Sequence, residues 1–204
     1  LAEIKSLGFR GEALPSIGAV ARLSITSITV GAPHASQLVV DAGVPRGPEP
    51  AALANGSVIS VTQLFKAVPA RLKFLKTERT EQGQCLDVIK RLAMAWPHVA
   101  FHLTADQRVL LDLPAALPDA AGQQRRIGSI MGRGFADEAI LLDAMREQIH
   151  LTGFAGLPTM NRPTTAHMFL FVNGRPIHDR SLLGAIRAGY GDTLPRGRHP
   201  MAVL

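Results

Sequence analysis

Two glycines three residues apart bracket an aromatic and an arginine in Gly8-Phe9-Arg10-Gly11, and a carboxylate, Glu12, follows as an apolar stretch opens at Ala13-Leu14. Glycine admits positive φ and close backbone approach, so such a pair lets consecutive N–H groups converge on an anion. Beyond it, Glu12, Ala13, Leu14, Ile17, Val20 and Ala21 supply helix formers and an apolar stripe, which predicts a helix whose positive end faces the same anion. Pro15 is compatible with a first turn, where its missing N–H has no partner to lose. The residues therefore describe a phosphate-gripping loop; a bare glycine pair would describe only a turn ahead of a helix.

Glu12 stands beside this loop, where a carboxylate could in principle activate water. Placed in a helix's first turn, it is read instead as a group matching the helix dipole. Arg71, Lys73 and Lys76 surround a short segment after Pro69 and are read as a solvated, structural face. Arg175 follows an Asn173-Gly174 turn, and Arg180 and Arg187 lie on the helix expected next. The planar fork of arginine meets two phosphate oxygens at once, so these three make a candidate track for a nucleic-acid backbone. The competing reading is a solvated basic surface. Gly132-Arg133-Gly134 imitates a dinucleotide fingerprint but lacks a preceding strand and a third glycine.

The elements that must position these residues follow from periodicity. Arg22 to Val30 alternates apolar Leu23 and Ile25 with Ser24 and Thr26, a half-buried strand, and Gln37 to Asp41 can pair with it. Val44 to Pro50 holds three prolines in seven residues and is expected to be a flexible loop between Gly43 and Gly56, unable to maintain a sheet ladder. A strand resumes at Val58, with Ile59 and Val61 on one face and Ser60 and Thr62 on the other. Thr77 is placed to cap a helix from Glu78 to Trp96, stopped by Pro97. A hairpin turns at Asp106 between Val99 and Leu113. Pro114 to Gln124 breaks all periodicity and marks a boundary, giving segments 1–114, a linker 115–124, and 125–204. In the last, Arg125 to Met131 suggests a short basic helix, and Ala139–Asp143, Ile149–Phe154 and Met168–Val172 suggest strands. Asp179 caps a helix carrying Leu182, Leu183, Ile186 and Tyr190, and Met201–Leu204 opens a further strand.

At 204 residues and 47% hydrophobic, the chain can bury a sizeable core. A formal charge of +6, from 22 Lys and Arg against 16 Asp and Glu, suits a polyanionic partner. Cys85 is the only cysteine, which excludes an intrachain disulfide and a cysteine-based zinc site, and the seven histidines are scattered. No apolar run approaches the ~20 residues of a membrane span.

Leu7 to Ile17 resembles the lid-side ATP motif of the MutL family of DNA mismatch repair proteins, relatives of gyrase B and sensor histidine kinases. Gly56 to Phe65 followed by Pro69 to Lys76 is similar to that family's strand, loop and basic helix, and Phe171 to Arg175 to its second-domain turn; together the matches span essentially the whole chain. The resemblance implies an α+β fold of two α/β sandwich domains. The second half of a gyrase B/histidine-kinase-type ATPase domain, including the lid, would come first. A ribosomal-protein-like domain with a left-handed βαβ crossover, as in gyrase B, would follow, the whole truncated at both ends.

It also implies ATP and Mg2+ as cofactors. Gly8, Phe9, Arg10, Gly11, Glu12, Ala13 and Leu14 would cradle the terminal phosphates. Ser57 would stand where the family usually has a threonine whose hydroxyl faces adenine. Arg175, Arg180 and Arg187 would meet DNA. The family's catalytic Glu-x-x-x-Asn helix and Asp-x-Gly-x-Gly adenine loop have no counterpart in these residues, and Asp41-Ala42-Gly43 imitates the latter only superficially. The implied role is a weak ATPase in a bacterial, nucleoid-associated cytoplasmic setting, with no membrane contact. ATP would order the lid, the protein would form a homodimer around DNA, and the closed pair would link a MutS-type mismatch sensor to a downstream nuclease or helicase. This stretch alone would carry no catalytic residue. The alternatives are a topoisomerase-like ATPase and a non-catalytic DNA-binding module with a vestigial nucleotide loop.

Overall fold

A computed structural model describes residues 11–204, which fall into two compact units, 11–81 and 82–204. In the first, helix α1 (Ala13–Val20) runs into strand β1 (Arg22–Ser27), followed by β2 (Ala35–Asp41), β3 (Val44–Ala51) and β4 (Ser57–Thr62). They form an antiparallel sheet of order β3-β2-β1-β4. Helix α1 lies on this sheet because Gly18 has no side chain: a Cβ there would stand 2.8 Å from Val40 Cγ1. Leu23 Cδ2 lies 3.7 Å from the same point, and Ala21, Leu23 and Ala35 are buried.

The proline-rich segment corrects the expectation of a loop. Val44 to Ala51 pairs with β2 from Asp41↔Val44 to Ala35↔Ala51, with an irregularity opposite Leu38 where Gly47 and Pro48 drop out of register. Proline lacks a donor, so it is excluded from central strands but tolerated at an edge or a bulge. Here β3 is the edge strand, and Gly47 takes φ +97° at the bulge. At the opposite edge, β4 keeps the expected alternation but is exposed along its length.

Helix α2 (Glu78–Ala95) follows a short 3-10 turn at Pro69–Phe74. The Thr77 carbonyl accepts from Glu81 N–H at 3.0 Å, closing the first helical turn. The second unit continues with the hairpin β5 (Phe101–Ala105) and β6 (Arg108–Leu113), turning through Asp106 and Gln107 at positive φ. Helices α3 (Ala120–Met131) and α4 (Arg133–Glu138) come next, then strands β7 (Ile140–Arg146), β8 (Ile149–Ala155), β9 (Asn161–Arg162), β10 (Met168–Val172) and β11 (Arg175–Ile177). Helix α5 (Arg180–Gly189) and strands β12 (His199–Pro200) and β13 (Ala202–Val203) complete it.

The main sheet has order β11-β10-β13-β8-β7, mixed because β10 and β13 run parallel with α5 in the connection between them. Phe154, Phe169 and Val203 share one face and pack on Met94, Ile127 and Phe135 from α2, α3 and α4. Met168 and Leu170 pack on Leu183 of α5. Helix α3 starts at Ala120, five residues ahead of the expected Arg125, because the Asp119 side chain caps it, accepting from Gly122 N–H at 2.6 Å. A side chain at Gly122 would collide with the Leu117 carbonyl, which explains a glycine inside a helix.

Candidate functional site

Gly8, Phe9 and Arg10 lie outside the described residues; Gly11 to Leu14 lie within them. Gly11 adopts φ +66° with open space around its α-carbon, so the backbone angle, not crowding, calls for glycine. Glu12 occupies the N-cap of α1; its side chain makes no capping bond, and its carbonyl accepts from Ser16 N–H at 3.0 Å. The first turn contains no acidic residue. The N–H groups of Ala13 and Leu14 thus open a helix without a side-chain cap, an arrangement that fits a phosphate oxygen. Glu12 is exposed and held by no side-chain bond to the cap, which suits a dipole-matching group better than a positioned base.

The far end of α1 is fixed by backbone. Gly43 N–H donates to Gly18 O at 2.9 Å and Ala42 N–H to Ala21 O at 3.2 Å. Asp41-Ala42-Gly43 is therefore the β2–β3 turn closing on α1, with Ala42 and Gly43 at positive φ. Asp41 itself pairs with Arg22 at 3.4 Å and Lys66 at 3.7 Å. Ser57 meets Ser27, the two hydroxyl oxygens 2.7 Å apart across the β1–β4 ladder. Ser27 also borders an open hollow of about 310 Å³ that includes His34 and Pro48. Arg71 lies 5.9 Å from the Phe65 ring centroid, in keeping with a structural role.

In the second unit, Asn173 and Gly174 both take positive φ between β10 and β11, with Gly174 close over Trp96. Arg175 is half-buried opposite Val172. Asp179 caps α5, accepting from Leu182 N–H at 2.9 Å. Arg180 and Arg187, both exposed, sit seven residues apart on one side of that helix. Arg187 in the last turn suits the helix dipole, whereas Arg180 at the positive end opposes it.

Sequence reasoning missed Arg126. Only 2% exposed, it donates from Nη2 to the carbonyls of Pro97, Val99 and Pro114 at 2.8, 2.9 and 2.8 Å, and its guanidinium lies 5.7 Å from the Phe101 centroid. Burial lowers its pKa without threatening its charge at neutral pH. The sequence marks its helix only as basic; the nearest signal is the Pro114 carbonyl, which lies outside helix and ladder, whereas Pro97 O also accepts from Ala116 N–H at 2.9 Å. Among the described residues, no group of His, Cys, Asp and Glu could hold a metal ion, so no protein donor set for Mg2+ is found there. No described helix is long and apolar enough to cross a membrane.

Comparison with known proteins identifies the family. Residues 127–204 match the model for the DNA mismatch repair protein C-terminal domain. The whole chain is 50% identical to the DNA mismatch repair protein MutL of Rhizobium leguminosarum bv. trifolii and 52% identical to that of Bradyrhizobium diazoefficiens, over 204 residues in each case. The chain belongs to the MutL family. It spans about a third of the length of these relatives, 34% of each. It is also similar to the Aquifex aeolicus MutL ATPase domain complexed with ADP, at 28% identity and a TM-score of 0.72, covering 95% of this chain and 71% of that one. The α+β architecture expected from the sequence is thus that of MutL ATPase domains.

Proposed function

We propose that this chain is the lid-side and transducer portion of a DNA mismatch repair ATPase. The observation that carries the reading is the likeness of nearly the whole chain to a MutL ATPase domain complexed with ADP. The uncapped start of α1 behind Gly11 supports it. In this reading residues 1–114 complete the nucleotide-binding domain, 115–124 link, and 125–204 form the transducer.

Gly8, Phe9, Arg10, Gly11, Glu12, Ala13 and Leu14 hold the terminal phosphates of ATP through backbone amides, Arg10 adds charge, and Ser57 lies toward the adenine. Mg2+ comes with the phosphates, since no described donor set is offered for it. A γ-phosphate bonded to this segment offsets the entropy of ordering it, and its loss releases the segment, so the loop acts as a switch. The ordered state favours a homodimer that encloses DNA. Arg175, Arg180 and Arg187 contact the DNA backbone without reading sequence, and the closed dimer connects a MutS-type sensor to a nuclease or helicase in the bacterial cytoplasm, at the nucleoid. The catalytic base is not among these residues.

The test is Arg10→Ala in the intact protein. Sedimentation should show weaker dimerisation in the presence of ATP, and a dimer fraction equal to wild type would remove the assigned role. Arg175→Glu should lower duplex affinity and flatten its salt dependence; an unaltered slope counts against the track.

A further inference from the structure

Five cationic or titratable side chains from four stretches of the second unit belong to the surroundings of the short β9–β12 ladder. Arg162 of β9 lies in register with His199 of β12. The turn carrying His167 packs against β12. Arg198, next to His199, is held by Asn161: Nε donates to Asn161 Oδ1 at 2.6 Å and Nη2 to its carbonyl at 3.2 Å. Arg162 donates to that same carbonyl at 3.1 Å. Two guanidinium groups thus converge on one neutral residue. Lys90 of α2 adds positive charge that acts on His167 alongside that of Arg162.

Among the described residues, none of Lys90, Arg162, His167, Arg198 and His199 has a carboxylate within ion-pair distance, and Asp87, one turn before Lys90, is engaged by Arg91 Nε at 2.7 Å. The Nδ1 atom of His167 is buried with no hydrogen-bond partner. Burial first, then Arg162 and Lys90, lower the pKa of His167, which reports a positive potential at the ring. Concentrated positive charge on planar forks without carboxylate partners is suited to phosphate oxygens.

We propose that Lys90, Arg162, His167, Arg198 and His199 form a second contact for the phosphate backbone of DNA, additional to Arg175, Arg180 and Arg187. The inference rests on the DNA-binding reading above but on a different set of residues. The contact is sequence-blind and acts through charge, with Arg162 as its exposed member, Lys90 half-buried, and Arg198 positioned by Asn161.

The experiment compares Lys90→Gln/Arg162→Gln with Arg180→Gln/Arg187→Gln in the intact protein, titrating a duplex of fixed length across salt concentrations. Losing two phosphate contacts lowers the logarithmic salt slope by about 1.8 and weakens binding about 60-fold at 0.1 M salt. Circular dichroism identical to wild type shows that the fold is kept. If the α5 pair lowers affinity and the Lys90/Arg162 pair does not, the second contact is overturned and the DNA reading stands; if neither does, the DNA reading itself falls. A second measurement needs no variant at residues bonded to Asn161. The His167 ring titrates by NMR at higher pH once duplex is bound, because phosphates offset the surrounding charge, and an unmoved titration overturns the proposal. A duplex-insensitive site that instead binds an acidic peptide also overturns it.

Discussion

Arg126→Met tests what holds the α3 helix to the end of α2 and the β5–β6 hairpin. Methionine fills much of the same volume, so the loss is polar and not a cavity. Three carbonyls lie within 2.9 Å of Nη2, but that nitrogen carries two protons, and Nη1 reaches Ala93 O only at 3.5 Å. Two full charge-assisted bonds at about 2 kcal/mol each give about 4 kcal/mol. The Val99 and Pro114 carbonyls would also lose this donor, while Pro97 O keeps Ala116 N–H at 2.9 Å, which holds the loss in the range of about 3–5 kcal/mol known for broken buried charge networks. Trp96 is the only tryptophan and directly precedes Pro97, so its fluorescence reports this unit. With a urea m-value of roughly 1.5 kcal/mol/M, the midpoint should fall by roughly 2–3 M. Arg126→Lys, with one nitrogen unable to span three acceptors, should fall between. A midpoint shift below about 0.5 M for the methionine variant would refute the clamp.

Other expectations follow from single contacts. Gly174→Ala forces a β-carbon into φ +75° and to 3.3 Å from Trp96 Cζ2; it should cost about 1–2 kcal/mol in urea and shift Trp96 emission, and wild-type stability would show the turn to be permissive. Gly18→Val places a β-carbon 2.8 Å from Val40 Cγ1; overpacking of about 1–3 kcal/mol should appear as faster amide exchange in β2, and unchanged protection would contradict the close seating of α1. His167 is held below the ordinary imidazole value of 6.5 by burial, then by Arg162 and Lys90. Its neutral form is favoured by folding, so that contribution is present above about pH 6.5 and is lost as pH falls through the folded-state pKa. His167→Gln should flatten the acid-side slope of stability, and equal slopes would dismiss the assignment.

Period-two and helical patterns in the sequence located most elements, because burial on one face leaves a repeating trace. β1, β2, α2, the Asp106 hairpin and the Asp179-capped α5 all carried it. Two kinds of feature did not. The β3 strand has no apolar repeat, since an edge with prolines at Pro45, Pro48 and Pro50 is set by its position in the sheet, and a linear sequence does not state which strand is outermost. Arg126 satisfies carbonyls 12 to 29 residues away, a bond dictated by tertiary geometry. The start of α3 was readable in principle from Asp119 but hidden by Gly122, whose role depends on a carbonyl at Leu117. For the loop, the residue types at Gly11 and Glu12 were informative because backbone angle and helix entry are local properties. The cluster at Lys90, Arg162 and His167 was invisible for the opposite reason: its members are neighbours only after folding.

The seating of α1 fixes where this helix can stand. With Gly18 O and Ala21 O both bonded to the β2–β3 turn, and no room at Gly18 for the helix to slide over Val40, the rod cannot advance or retreat without breaking two backbone bonds. Helix α1 and the sheet beneath it therefore form one stationary anvil, whose leading edge is the chain entry at Gly11 and Glu12.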